Sequence, residues 1–200
     1  MRISVRPDAS PQPDIRRSIV AVDPFQRDHP MPTLNARPSS VTGTQLRAAA
    51  SHFPTGVAIV STLDERGEPV GCTISSFLSV SLEPPIVAVS LAQSTSTLAH
   101  LVANRQFGIS VLSSSQGGVA EVFASREVDH AERFAGIRWR HGQTGVPVLD
   151  NGLSTIECDI HDIVPAGDHY LVLGRVVSLF ASGWGSPLVH HQGTLSTIKR

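Results

Sequence analysis

A mainly antiparallel β-barrel with a few short helices is the fold class this sequence predicts, on three observations. At least six strand-like runs rich in Val, Ile and Thr are bounded by turn signals. The helical stretches between them are brief. Most links are hairpin-like or too short for the crossover helix that a doubly wound parallel sheet requires.

The elements follow in order. Thr42 or Thr44 can cap a short helix over residues 45–50, which Phe53-Pro54 ends. Residues 57–62 read as a strand, 64–67 as a turn, and 69–75 as the returning strand. Residues 77–80 follow, and Glu83-Pro84-Pro85 is a hard stop. The run 86–91 is almost continuously apolar, as in a strand buried on both faces. Residues 97–103 place Leu98, Leu101 and Val102 on one side of a short helix, ahead of a strand over 107–112. A second short helix spans 116–123. The runs 154–164 and 170–179 suit long hairpin strands joined at Pro165-Ala166-Gly167-Asp168.

Seven of the fourteen prolines fall within the first thirty-eight residues, among Asp, Arg, Ser and Gln. Such a segment buries too little apolar surface to offset its ordering entropy. Residues 1–40 are therefore expected to be an extension, disordered or draped over the domain or a partner subunit, and residues 41–200 the domain itself. The formal net charge is −1 and the pI about 6.7, which gives no electrostatic reason for a nucleic-acid or membrane partner. Fifteen of the sixteen basic residues are Arg, and the only Lys is Lys199. Cys72 and Cys158 stand far apart in apolar runs and read as reduced, small hydrophobes. The Arg16-Arg17 pair precedes an apolar run of about five residues, short of a signal h-region of ~7–15. With no apolar stretch near the ~18 residues of a membrane span, the expected location is cytoplasmic.

The usual catalytic signatures are missing: no GxSxG elbow, HExxH, Walker loop or strand-borne GxGxxG occurs. His190-His191 is the only adjacent histidine pair. Neighbours on a strand face opposite ways, so no metal site is expected there. The run from Gly71 to Pro85 instead sets Thr73, Ser75, Ser76, Ser79 and Ser81 between two apolar strands. Hydroxyls and turn amides can hydrogen-bond a flat heterocycle without adding charge. A Ser/Thr-rich sheet edge that satisfies itself is the competing reading.

Four pieces now stand in one order: Phe53-Pro54-Thr55-Gly56-Val57, the 71–85 run, Phe107-Gly108-Ile109-Ser110-Val111-Leu112, and Gly167-Asp168-His169. Together, and with Phe134-Ala135-Gly136 and Gly145-Val146-Pro147-Val148-Leu149 between them, they resemble the short-chain flavin reductases. These are the reductase components of two-component flavin-dependent monooxygenases, and they share the FMN-binding split β-barrel. The resemblance covers roughly residues 43–198.

It implies a site. Thr73, Ser75 and Ser76 would lie along the isoalloxazine ring, with Phe77 as packing or a ring wall. Ser94, Thr95, Ser96 and Thr97 would hold the flavin phosphate, which also suits hydroxyls and amides opening a helix. Ser96 reads equally as an ordinary N-cap, and the two roles are compatible. The family often has a basic residue near this segment; here His100 or Arg105 is the nearest substitute. His169 would stand beside flavin and nicotinamide as the one catalytic candidate. His190 and Leu195 occupy positions where the family commonly has aromatic residues.

The activity implied is hydride transfer from NADH or NADPH to FMN or FAD, with reduced flavin passing to a partner monooxygenase and a homodimer completing the site. Cofactors carry that chemistry while protein supplies position, so missing triads do not count against it. The alternatives are a non-reducing flavin- or other cofactor-binding split barrel, a pyridoxamine-phosphate-oxidase-like enzyme, and a barrel binding module with no cofactor. The second needs a basic cluster, and no Arg or Lys lies between Val70 and Asn104.

Overall fold

The structure, a computed structural model, describes residues 40–183 and 185–198. The expected extension over residues 1–40 thus lies outside the described residues, save residue 40. Twelve strands and four helices are described: α1 (Gly43–Ala50), β1 (Thr55–Gly56), β2 (Ala58–Leu63), β3 (Pro69–Ile74), β4 (Leu78–Leu82), β5 (Pro85–Ala92), α2 (Ser96–Asn104), β6 (Gln106–Val111), α3 (Gly117–Ala124), α4 (His130–Phe134), β7 (Trp139–His141), β8 (Pro147–Leu149), β9 (Ser154–Ala166), β10 (His169–Ala181), β11 (Leu188–His191) and β12 (Thr194–Thr197).

Seven strands form the main sheet in the order β3-β2-β6-β9-β10-β5-β4, every pair antiparallel. A three-stranded sheet β1-β11-β12 and the β7-β8 ribbon complete the architecture. The expected antiparallel fold is the one observed. Its turns have local causes. The Asp64 carboxylate accepts from the amides of Arg66 and Glu68, while Gly67 takes φ +83°, closing β2 onto β3. Gly167 at φ +66° closes the long β9-β10 hairpin. Thr42 and Gln45 form a reciprocal capping box that starts α1.

Two apolar clusters lie on the two faces of β2, because neighbouring strand residues point opposite ways. Val60 joins Val89, Leu98, Leu101, Phe107 and Val172 on one face, under α2. Ile59 joins Leu112, Phe123, Phe134, Leu149 and Leu188 on the other, under α3 and α4. Burying one such side chain is worth about 1.5–3 kcal/mol, so α3 and α4, though short, are held by Phe123 and Phe134. These aromatics meet edge to face at 4.8 Å between centroids. Backbones also approach closely: a Cβ on Gly108 would lie 2.8 Å from the Pro147 carbonyl oxygen, so only glycine lets β8 cross β6 there.

Cys158 sits fully buried in the first cluster, and burial pushes its thiol up to about 12. Cys72 departs from expectation. It is only half-buried, on β3, and faces the cleft described next.

Candidate functional site

A cleft of about 630 Å³ opens between β3, the end of β5 with the loop that follows it, and the segment after α3. That volume lies within the ~300–1,000 Å³ of small-molecule sites. Of the sequence-predicted site residues, Thr73, Ser75, Ser76, Ser94, Thr95, Ser96 and His169 line it. They come from three separate stretches of chain, brought together by the main sheet, in which His169 on β10 pairs with Ala92 on β5. Phe77 and Thr97 do not line it. Phe77 is partly exposed at the approach to β4, and Thr97 is fully buried within the first turn of α2.

The hydroxyls divide by what already engages them. Thr73 donates to the Ala120 carbonyl at 2.6 Å, tying β3 to α3. Ser76 donates to the Ser90 carbonyl and accepts from the Ser90 amide, pinning the turn before β4 onto β5. These two hydroxyls are anchors, and the reading of a Ser/Thr-rich edge satisfying itself holds for them. Ser75, Ser94 and Ser96 are exposed in the cleft. Ser96 is the first helical residue of α2, and the N-cap position belongs to Thr95, whose side chain makes no cap bond. Ser96 is therefore released from capping and bonds His130 Nε2 at 2.7 Å.

The basic groups come from an unexpected place. Arg126 and Arg133 line the cleft beside Phe123, Ala124 and Ser125. Arg133 donates to the carbonyls of Gly71, Ser125 and Val128 at 2.7–3.0 Å, so its charge is fixed at the cleft wall. Arg105, by contrast, ends α2 at φ 60° and donates to the Ile160 carbonyl, away from the cleft. His100 does not line it and packs edge to face on His130. Position in sequence suggested the wrong bases because the 125–133 segment arrives by tertiary packing on β3. The signal that could have found it is Arg133 immediately before Phe134-Ala135-Gly136, with Arg126 seven residues upstream of it.

His169 begins β10 opposite Ala92. The loop after β5 clasps this hairpin: the Gln93 amide donates to the Asp168 carbonyl and its side chain to the Gly167 carbonyl. His169 Nδ1 lies 2.7 Å from Asp168 Oδ1, and that hydrogen bond helps hold the Asp168 carboxyl below its usual range. An ionised carboxylate only accepts, so Nδ1 carries the proton and Nε2 is left for the cleft. A smaller apolar recess of about 260 Å³ adjoins Thr73–Ser75 and is lined by Val57, Ala120, His190 and Leu195 among others. His190 and Leu195 face each other across β11 and β12.

A hydroxyl-bearing floor without carboxylates, with two arginines in the same wall, can hydrogen-bond a flat polar heterocycle and face an anionic group, and it is set in an antiparallel barrel. Known proteins agree. Residues 50–199 match the family model of the flavin reductase like domain. A flavin reductase from Pseudomonas putida is 35% identical over 155 residues, spanning 78% of this chain and 89% of the relative. A "Probable flavin reductase" from Rhizobium meliloti is 41% identical over 138 residues, 69% of this chain, but this chain spans only 43% of its length. Among solved structures, the NADH:FAD oxidoreductase SgcE6 of Streptomyces globisporus, in complex with NAD and FAD fragments, superposes with a TM-score of 0.73 at 31% identity, covering 78% of this chain and 92% of that one. BorF, the flavin reductase component of a bacterial two-component tryptophan halogenase, gives 0.74 at 30% identity, covering 80% and 99%. The chain belongs to the flavin reductase like family.

Proposed function

We propose that this protein is an NAD(P)H:flavin oxidoreductase that reduces FMN or FAD and supplies the reduced flavin to a partner monooxygenase. The observation that carries the reading is the single cleft joining Thr73–Ser76, Ser94–Ser96 and His169, in a chain of this family. When bound, the nicotinamide and flavin rings supply the hydride chemistry between nicotinamide C4 and flavin N5. The protein's residues position the rings and manage charge. The cleft floor offers hydroxyls and no buried carboxylate, so it accepts a ring that gains negative charge. Ser94, Thr95 and Ser96, with Arg126 and Arg133, receive the phosphate end. His169, held by Asp168 beside the loop after β5, presents Nε2 to the same cleft, where the nicotinamide would enter.

Exposed Leu78, Val80 and Leu82 on β4, with Leu179 and Phe180 on β10, favour burial against a second copy of the chain. The free cysteines favour a reducing, cytoplasmic location. The relatives named as monooxygenase reductase components favour the partner class, as in the trigonelline monooxygenase component of Acinetobacter baylyi. The deciding measurement is anaerobic NADH and NADPH oxidation with added FMN, FAD or riboflavin. Flavin-dependent turnover is expected. Tight flavin binding without any oxidation would make this a non-reducing barrel instead.

A further inference from the structure

At the arginine end of the cleft, three hydrogen bonds meet at the His130 ring, and chemistry fixes their directions. His130 Nδ1 faces the Gly71 amide at 3.4 Å and an Arg133 guanidinium nitrogen at 3.3 Å. Both groups can only donate, so Nδ1 must accept. The ring proton of the neutral imidazole therefore sits on Nε2, which faces Ser96 Oγ at 2.7 Å. Ser96 Oγ accepts that proton's bond, and its own hydrogen is left for an acceptor in the cleft. No other side-chain partner of Ser96 exists among the described residues.

We propose that His130 is a positioning residue that turns Ser96 into a dedicated hydrogen-bond donor for the flavin's 5′-phosphate, and so makes the site prefer FMN and FAD over riboflavin. A phosphate ester at neutral pH offers only acceptor oxygens toward such a group, whereas the riboflavin 5′-hydroxyl both donates and accepts. A serine free to rotate would serve either ligand. One locked as a donor beside Arg126 and Arg133 favours the phosphate. The lock needs a neutral ring. Burial, with Arg133 on the same helix and His100 on α2, holds His130 below the usual histidine range, against the backbone hydrogen bond at Gly71 and the Asp129 charge, which pull the other way. Gly71 is part of the frame as well. A Cβ there would lie 2.8 Å from the Val60 carbonyl oxygen, so β3 can run this close to β2 only with glycine at that position.

The inference rests on the flavin reading above, and its test separates the two. Dissociation constants of FMN, FAD and riboflavin are measured by fluorescence quenching for the full chain and for His130→Phe, His130→Gln and Ser96→Ala. His130→Phe keeps ring packing but removes the Nε2 donor. It should weaken FMN and FAD about 10-fold while riboflavin changes less than about twofold. Ser96→Ala should behave alike, and the double variant should be no worse than either single one. In His130→Gln the amide oxygen can face the Gly71 amide and its NH₂ can face Ser96, so FMN affinity should return to within about threefold of wild type. Equal losses for FMN and riboflavin in His130→Phe would mean that His130 merely anchors α4 to β3, and would overturn the proposal. So would unchanged ratios in both His130 variants, even with NAD(P)H turnover intact. A wild-type chain that binds none of the three flavins sinks the proposal together with the flavin reading.

Discussion

His169 shows how far a single residue can be read. Its place in the cleft follows from Gly167-Asp168-His169 and the resemblance that motif carries, but its polarity does not. The Asp168 carboxylate claims the Nδ1 proton, so a neutral ring offers an acceptor at Nε2 and only a protonated ring offers a donor there. The neutral ring therefore suits the carboxamide NH₂ of a nicotinamide, and the protonated one suits negative charge on a reduced flavin. Either way, His169→Ala should lower kcat/KM for NAD(P)H about 10-fold, the ~1.4 kcal/mol of one good polar contact, with flavin affinity little changed. Steady-state kinetics at saturating flavin check this, and wild-type nicotinamide kinetics in the variant would retire the assignment. What the sequence could not disclose at this scale is which hydroxyls are already engaged. Thr73 and Ser76 look as available as Ser75 until their backbone partners on α3 and β5 are seen.

At the scale of elements, the segments of five or more residues with an apolar pattern, three short helices among them, were legible, and elements of one turn or three residues were not. β2, β3, β5, β6, β9 and β10 fall within a few residues of their expected spans, because β-branched runs between Gly, Pro and Asp turns leave few alternatives. The one-turn helix α4 and the three-residue strands β7 and β8 carry no periodicity, and tertiary contacts alone define them. Glu157 is one such contact. Buried on β9, its carboxylate accepts from the amides of Gln143 and Thr144 and from the Thr144 and Ser178 hydroxyls, bolting down the β7-β8 turn. Burial alone would raise its pKa, but these four donors outweigh it and the net shift is downward. A carboxyl depressed in the native state stabilises the fold above its unfolded pKa, and the benefit is lost as pH falls through the native value. Glu157→Gln sets an NH₂ against amide donors and should cost about 2–3 kcal/mol near pH 7. Denaturant melts of both proteins from pH 7 to pH 3 should show the gap narrowing on the acid side. A gap independent of pH would mean that packing, not charge, fixes the turn.

Across the whole molecule, the question is where the functional unit ends. The family match begins at residue 50, and the cleft draws on no described residue before Cys72. The Pro-rich composition of residues 1–40 offers little for a core, so we propose that this segment is an extension outside the reductase unit. The apolar residues left exposed on β4 and β10 lie on the barrel itself, and a second copy covering them would need nothing from the extension. Removing residues 1–40 should therefore leave both the oligomer and its chemistry in place. Sedimentation of the full chain and the truncated one should give the same dimer, and NAD(P)H oxidation per active site should agree within about twofold. Loss of activity with the dimer intact would place part of the extension at the cleft. A monomer from the truncated chain alone would make the extension the strap between subunits, and a monomer from both would leave the apolar face of β4 to a different partner.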